Sequence, residues 1–285
     1  MTDRPDLLPA PAPPPDPPEL PEGVERAPRW PAWYAPLAFV VAFAGTAIFA
    51  GTLLLAISGG DVDEESATVT IVGTLIQAAV FVGTAVMFAS FVAKPRLWQF
   101  GLRRARFWPA VGWAALGLFT FYVFAAVYTA AVQPDVEQTV TQDLGADQGI
   151  AGLIAAGVVV IVVAPLAEEF FFRGFFYRAL RSRFSVMLAA IIDGLVFGVI
   201  HWDFSSVDGL LILPPLAVLG VVFCLVYERT GSLFPVVGLH AINNSVAYGA
   251  KVDDGWIVSL AAGSLMLVAL MVLPRALPRA APAPG

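Results

Sequence analysis

The chain has 285 residues, 58% of them hydrophobic and 13% charged, with a mean hydropathy of +0.78 and a formal net charge of −6. Soluble domains carry charge on about a quarter of their residues, so this composition excludes one and indicates an all-α, polytopic transmembrane bundle. Continuous apolar runs exclude a β-barrel, which shows alternating segments of roughly ten residues, and no basic face for nucleic acid is present.

Residues 1 to about 32 hold eleven prolines. Each fixes φ and removes a backbone donor, so the segment reads as an extended, disordered cytoplasmic tail. A basic stretch followed by an apolar one, as in a cleavable signal peptide, is not seen. Eight apolar segments of bilayer length follow, near 34–58, 66–93, 107–133, 149–178, 185–202, 209–228, 232–250 and 255–274. They make up a membrane domain over 33–275, and 276–285 reads as a short disordered tail. Lys and Arg alternate between the loops. Loops 59–65, 134–148 and 203–208 have none, whereas loop 94–106 carries Lys94, Arg96, Arg103, Arg104 and Arg106, and the turn after the fourth segment carries Arg178, Arg181 and Arg183. Basic loops stay on the cytoplasmic side, so both termini are expected there, in a bacterial plasma membrane. The single cysteine, Cys224, lies in an apolar run. It rules out an internal disulfide and a thiolate metal site and reads as a small buried hydrophobe.

The chemistry concentrates in Pro165-Leu-Ala-Glu168-Glu169-Phe-Phe-Phe-Arg173-Gly174. A charge at membrane depth costs several kcal/mol unless it faces a protein interior or a wet cavity, so it marks a functional candidate. Glu169 and Arg173, four apart, share a helix face and can pair; Glu168 points about 100° away and is free to face something else. Pro165 is expected to kink the helix and free carbonyls, and Pro214-Pro215 marks a second irregular segment. Both histidines of the chain are intramembrane: His201 ends the fifth segment and His240 sits in the seventh, with Asn244 on its face four residues on. Asp193 is a further intramembrane acid, expected to pair with Arg178 or Arg181 or to line a cavity entrance. No His-Glu-x-x-His zinc motif and no Gly-x-Ser-x-Gly elbow competes.

Glu-Glu-x-x-x-Arg-Gly, then Phe-x-x-x-His, then His-x-x-x-Asn, on three membrane helices, resembles the CPBP family of CAAX-processing and bacteriocin-processing (Abi-like) intramembrane proteases. The likeness covers about residues 150–250. It implies a bundle of about eight helices with a cavity open to the cytosol, and endoproteolysis of a membrane-proximal protein or peptide. Carried over by motif, Glu168 is the general base that activates water, His201 orients that water, and His240 with Asn244 donates to the oxyanion. Glu169 and Arg173 support them structurally. Two histidines and a glutamate also match zinc-ligand chemistry; the metal-free arrangement is favoured, with zinc left open. Two other classes stand beside the peptidase: a membrane scaffold or immunity-type binder that keeps the fold without using the site, and a transporter using Glu168 and Asp193 as proton carriers. A Glu168 variant that behaves as wild type would indicate the scaffold, and pH-gradient-driven flux the transporter.

Overall fold

Apolar runs with nowhere in lipid to place unpaired backbone groups must close their hydrogen bonds internally, as helices. The computed structural model describes residues 29–58, 66–134, 140–202, 208–252 and 256–276. The expected tail up to residue 28, loop 59–65, most of loop 203–208 and the tail beyond 276 lie outside the described residues. Within them, eight longer helices form: α1 Tyr34–Ser58, α2 Ala67–Ser90, α3 Phe107–Val132, α4 Gly149–Arg181, α5 Val186–Val199, α6 Leu213–Thr230, α7 Leu233–Gly249 and α8 Trp256–Ala276. Five are long and apolar enough to cross a membrane, namely Tyr34–Ile57, Ala67–Ser90, Phe107–Val132, Gly149–Arg181 and Gly209–Thr230. Val186–Val199 and Trp256–Val272 are apolar but shorter. Among the described residues there is no strand.

The long α4 runs through the core. Its Phe171, Phe172, Phe175, Phe176 and Tyr177 are all buried, and Phe81 of α2 packs on Phe171 with ring centroids 4.9 Å apart. Two turns of π-helix, Val159–Val163 and Phe172–Phe176, flank the segment that carries both glutamates. Such bulges recur at functional sites. The first has a visible cause. In π register a carbonyl accepts from the N–H five residues on, as Val159 does from Ala164. Val160 would need the N–H of residue 165, which is proline.

One end of the bundle gathers the basic connections. Leu233 N–H donates to the Gly101 carbonyl at 2.8 Å, the Ser232 hydroxyl donates to the Arg103 carbonyl at 2.6 Å, and Arg181 pairs with Glu228 at 3.0 Å. The Arg178 guanidinium lies 5.3 Å from the Trp30 ring. Trp30 itself is buried, with Phe100 and Phe175 each 5.0 Å away between ring centroids. Packing therefore begins upstream of residue 33.

Helices α5 and α6 approach closely, through glycines. A Cβ on Gly220 would stand 2.7 Å from the Gly194 Cα and 3.1 Å from Arg173 Nη2. Small residues allow such backbone contact between membrane helices. Gly220→Ala is expected to cost about 1–3 kcal/mol by overpacking, read as a lowered unfolding midpoint in detergent; an unchanged midpoint would mean that α5 and α6 can separate freely.

Candidate active site

Four elements converge on one cluster of polar side chains, and α4 supplies most of it. Glu169 and Arg173 share a helix face, are both fully buried, and pair with Arg173 Nη1 3.0 Å from Glu169 Oε1. Around that guanidinium the chain builds a cage. Nη2 donates to the Gly220 carbonyl at 3.1 Å and stands 3.4 Å from Asp193 Oδ1. The rings of Phe197 and Phe223 cover the two sides, their centroids 4.4 and 5.0 Å from Cζ. Arg suits such a site because a planar fork can meet two carboxylates while stacking on rings.

Asp193 does not pair with Arg178 or Arg181. It lies on the inner face of α5, fully buried against Arg173, while Arg181 is taken by Glu228 on α6. The reason is the α5–α6 packing, which turns Asp193 inward. Its Oδ1 also accepts from the Cys224 thiol at 3.2 Å, so Cys224 is buried but is more than a hydrophobe.

His240 of α7 joins both glutamates. Its Nδ1–H donates to Glu169 Oε1 at 2.8 Å, and Nε2 faces Glu168 Oε2 at 3.9 Å. The second distance is too long for a hydrogen bond. A single oxygen atom about 2.8 Å from each could bridge it. Glu168 Oε2 is buried and has no hydrogen-bond partner. Glu169 Oε2 and Asp193 Oδ2 are buried without a partner as well; the carboxylate expected to be free of Arg173 is the one whose unused oxygen faces His240 Nε2. The His240 ring is held between Phe197 and Phe223, at centroid separations of 5.8 and 4.9 Å.

His201 falls just beyond α5 rather than within it. Its Nδ1–H donates to the Phe197 carbonyl at 2.7 Å, and its backbone N–H goes to Gly198 at 3.0 Å. The side chain has taken the carbonyl that the i+4 backbone N–H would use, and the helix stops. The fourteen residues of α5 span about 21 Å, short of a hydrocarbon core of about 30 Å. His201 therefore sits inside the depth of the bundle, with Nδ1 committed to a backbone carbonyl and Nε2 left for another partner. Its ring lies 4.8 Å from the Phe197 ring, which also packs on His240.

Asn244 is oriented by the irregular backbone of α4. Its Nδ2 donates to the Val160 carbonyl at 2.9 Å, the carbonyl that Pro165 leaves without an N–H. One amide hydrogen is committed there and the second is available. Asn243 Nδ2 lies 3.4 Å from Asn244 Oδ1, and Asn243 in turn accepts from the Tyr122 hydroxyl at 3.4 Å. Asn244→Ala strands the Val160 carbonyl, and an unsatisfied buried acceptor costs about 1–3 kcal/mol. A fall in unfolding midpoint of that order is expected; Asn244→Asp, with no N–H to offer in its ionised form, should not restore it.

The donor set does not suit the zinc left open by the sequence. Among the described residues no three His, Cys, Asp or Glu side chains form a group able to hold a metal ion.

The sequence alone assigns no role to Phe197, Phe223 or Val160, and none beyond packing to Cys224. Phe197 has a visible cue, four residues before a membrane histidine. The other three are marked only by the tertiary packing.

A helical membrane protein with a buried carboxylate–imidazole–guanidinium cluster, and an unpartnered carboxylate oxygen of Glu168 facing an imidazole nitrogen, has the makings of a hydrolase. Residues 150–246 match the type II CAAX prenyl endopeptidase Rce1-like family, and the match supports membership of that protease family. It is similar to an uncharacterized 24.3 kDa protein of Escherichia coli, 31% identical over 132 residues covering 46% of this chain and 59% of the relative. It is also similar to the uncharacterized protein YyaK of Bacillus subtilis (strain 168), 26% identical over 140 residues covering 48% of this chain and 46% of the relative. The chain thus spans about half the length of the curated relatives it matches. No solved structure matches it.

Proposed function

We propose that the chain is an intramembrane endopeptidase that hydrolyses a peptide bond in a membrane-proximal protein or peptide, of the CAAX-processing or leader-processing kind. The carrying observation is the pairing of an unpartnered, buried Glu168 Oε2 with His240 Nε2 across 3.9 Å. Glu168 takes a proton from a water held in that span, and the hydroxide attacks the peptide carbonyl. His201, through Nε2, orients the water. The oxyanion receives N–H from His240 Nε2 and from the second amide hydrogen of Asn244. Glu168 then returns its proton to the leaving amine. For His240 to donate from Nε2 while Nδ1–H stays on Glu169, the ring must carry both protons during that step.

The membrane arrangement belongs to the same proposal. All eight longer helices lie within the bilayer, the end that gathers Arg103, Arg178 and Arg181 is cytosolic, and the cluster opens to that side. Both termini are cytoplasmic, in a bacterial plasma membrane. Basic connections at one end of the bundle support this orientation.

The test compares membrane-peptide termini in cells carrying the wild-type chain and cells carrying Glu168→Gln at matched expression. Termini present only with the wild type are expected. Purified protein should reproduce those cleavages in the presence of a zinc chelator. Identical termini across several growth conditions would overturn the peptidase reading in favour of a binding protein.

A further inference from the structure

The cluster contains one acid more than the proposed chemistry uses. Glu169 and Arg173 cancel each other's charge, yet a second carboxylate, Asp193, is buried against the same guanidinium at 3.4 Å. A fully buried carboxylate is costly to keep unless its charge is needed or compensated. Contacts run without a break from it to the site. The Cys224 thiol donates to Asp193 at 3.2 Å, Asp193 meets Arg173 at 3.4 Å, Arg173 meets Glu169 at 3.0 Å, and Glu169 accepts from His240 Nδ1–H at 2.8 Å.

We propose that Asp193 is a positioning residue that supplies the counter-charge for His240, acting through Arg173 and Glu169. This rests on the peptidase reading. A guanidinium serving Glu169 alone would neutralise it and weaken it as an acceptor. Divided between two carboxylates, Arg173 leaves charge on Glu169 Oε1 for the imidazole. The count then closes. Two carboxylates, Glu169 and Asp193, balance one guanidinium and the imidazole while it carries both protons in the oxyanion step, so that Glu168 is left to serve the water. The charged groups nearest the ring are Glu168, Glu169 and Arg173 on α4, with Asp193 behind them on α5; Phe197 and Phe223 cover its faces. In this arrangement Cys224 fixes the rotamer of Asp193 and does not react.

The composition makes the chain easy to interrogate. It has two histidines and one cysteine, so nitrogen-15 histidine labelling gives two imidazoles, and the infrared S–H stretch reports Cys224 alone. The experiment uses the full chain in lipid nanodiscs, with His201→Gln to assign the rings. Asp193→Asn is expected to shift the His240 nitrogen signals and the S–H band. The His201 ring, held by a backbone carbonyl, should stay where it is. Cleavage should fall by about tenfold to a hundredfold in kcat with little change in KM, as outer partners of an ordered imidazole typically show. Cys224→Ala, which removes only the thiol donor, should move the same His240 signals by less, and it decides the matter if Asp193→Asn does not fold. Unmoved His240 signals in whichever variant folds would overturn the proposal. The spectra do not depend on turnover, so the absence of any cleavage by the wild-type chain would remove the peptidase reading and leave the link between Asp193 and His240 decided on its own evidence.

Discussion

Glu168→Gln in purified, reconstituted protein is expected to lower kcat by about 10²–10⁴-fold, the usual worth of a positioned general base. The substitution keeps the size of the side chain and one carbonyl oxygen, but that oxygen is a far weaker base. Glu168 makes no ion pair within hydrogen-bonding distance, since its nearest partner, His240 Nε2, is 3.9 Å away. The side chain is also partly exposed, at 18%. Its loss should leave the unfolding midpoint unchanged, or raise it slightly because a carboxylate near the bundle centre has been neutralised. KM should change little, because the group acts on water and not on the bound peptide. This separation of activity from stability is what distinguishes Glu168 from its neighbour. Glu169→Gln should cost both, since Glu169 holds Arg173 and His240 at once. Wild-type turnover by Glu168→Gln would remove Glu168 as the base. A loss of folding would show that its role is structural.

Much of this is legible in the sequence. Hydropathy alone locates the helices well: 34–58 is α1 as expected, and 107–133 differs from α3 by one residue. The i, i+4 spacing of Glu169 and Arg173 predicts their pair, and the same spacing leaves Glu168 to face elsewhere. What spacing along one helix does not carry is which helices are neighbours. Chain order points Asp193 toward Arg178 or Arg181, the arginines just before α5. The glycines at 194, 198 and 220 bring α5 so close to α6 that the inner face of α5 looks at Arg173 instead. The orientation of Asn244 is hidden for a similar reason. Pro165 announces a freed carbonyl, but whether the helix answers in α or π register decides which one, and only the folded α4 shows that it is Val160. The end of α5 two residues before His201 follows from a side-chain hydrogen bond that competes with the backbone, and hydropathy does not register it.

Arg173→Met should be the most destabilising single change in the chain. Arg173 is fully buried between two fully buried carboxylates. Removing one partner of a buried ionic group leaves the others uncompensated, at a cost of about 3–5 kcal/mol. Methionine would fill much of the space between Phe197 and Phe223 but gives neither carboxylate a donor. It also forfeits the stacking of a cation between two rings, worth about 2 kcal/mol when desolvated. Arg173→Lys should recover only part of the loss, because an ammonium lacks the fork that reaches Glu169, Asp193 and the Gly220 carbonyl together. Unfolding midpoints in detergent should therefore rank wild type, then Lys, then Met, with Met failing to accumulate if the margin is small. The most informative variant combines Glu169→Gln, Arg173→Met and Asp193→Asn in one chain. Replacing a buried ionic group as a whole is often neutral or stabilising, so this triple variant should be more stable than Arg173→Met alone while leaving His240 without its anchor. Stability regained with cleavage still absent would show that the ionic group is kept for the geometry of His240. If Arg173→Met stays within about 1 kcal/mol of wild type, well below the cost of a stranded charge, Glu169 and Asp193 do not depend on this guanidinium, and the charge count around His240 fails with it.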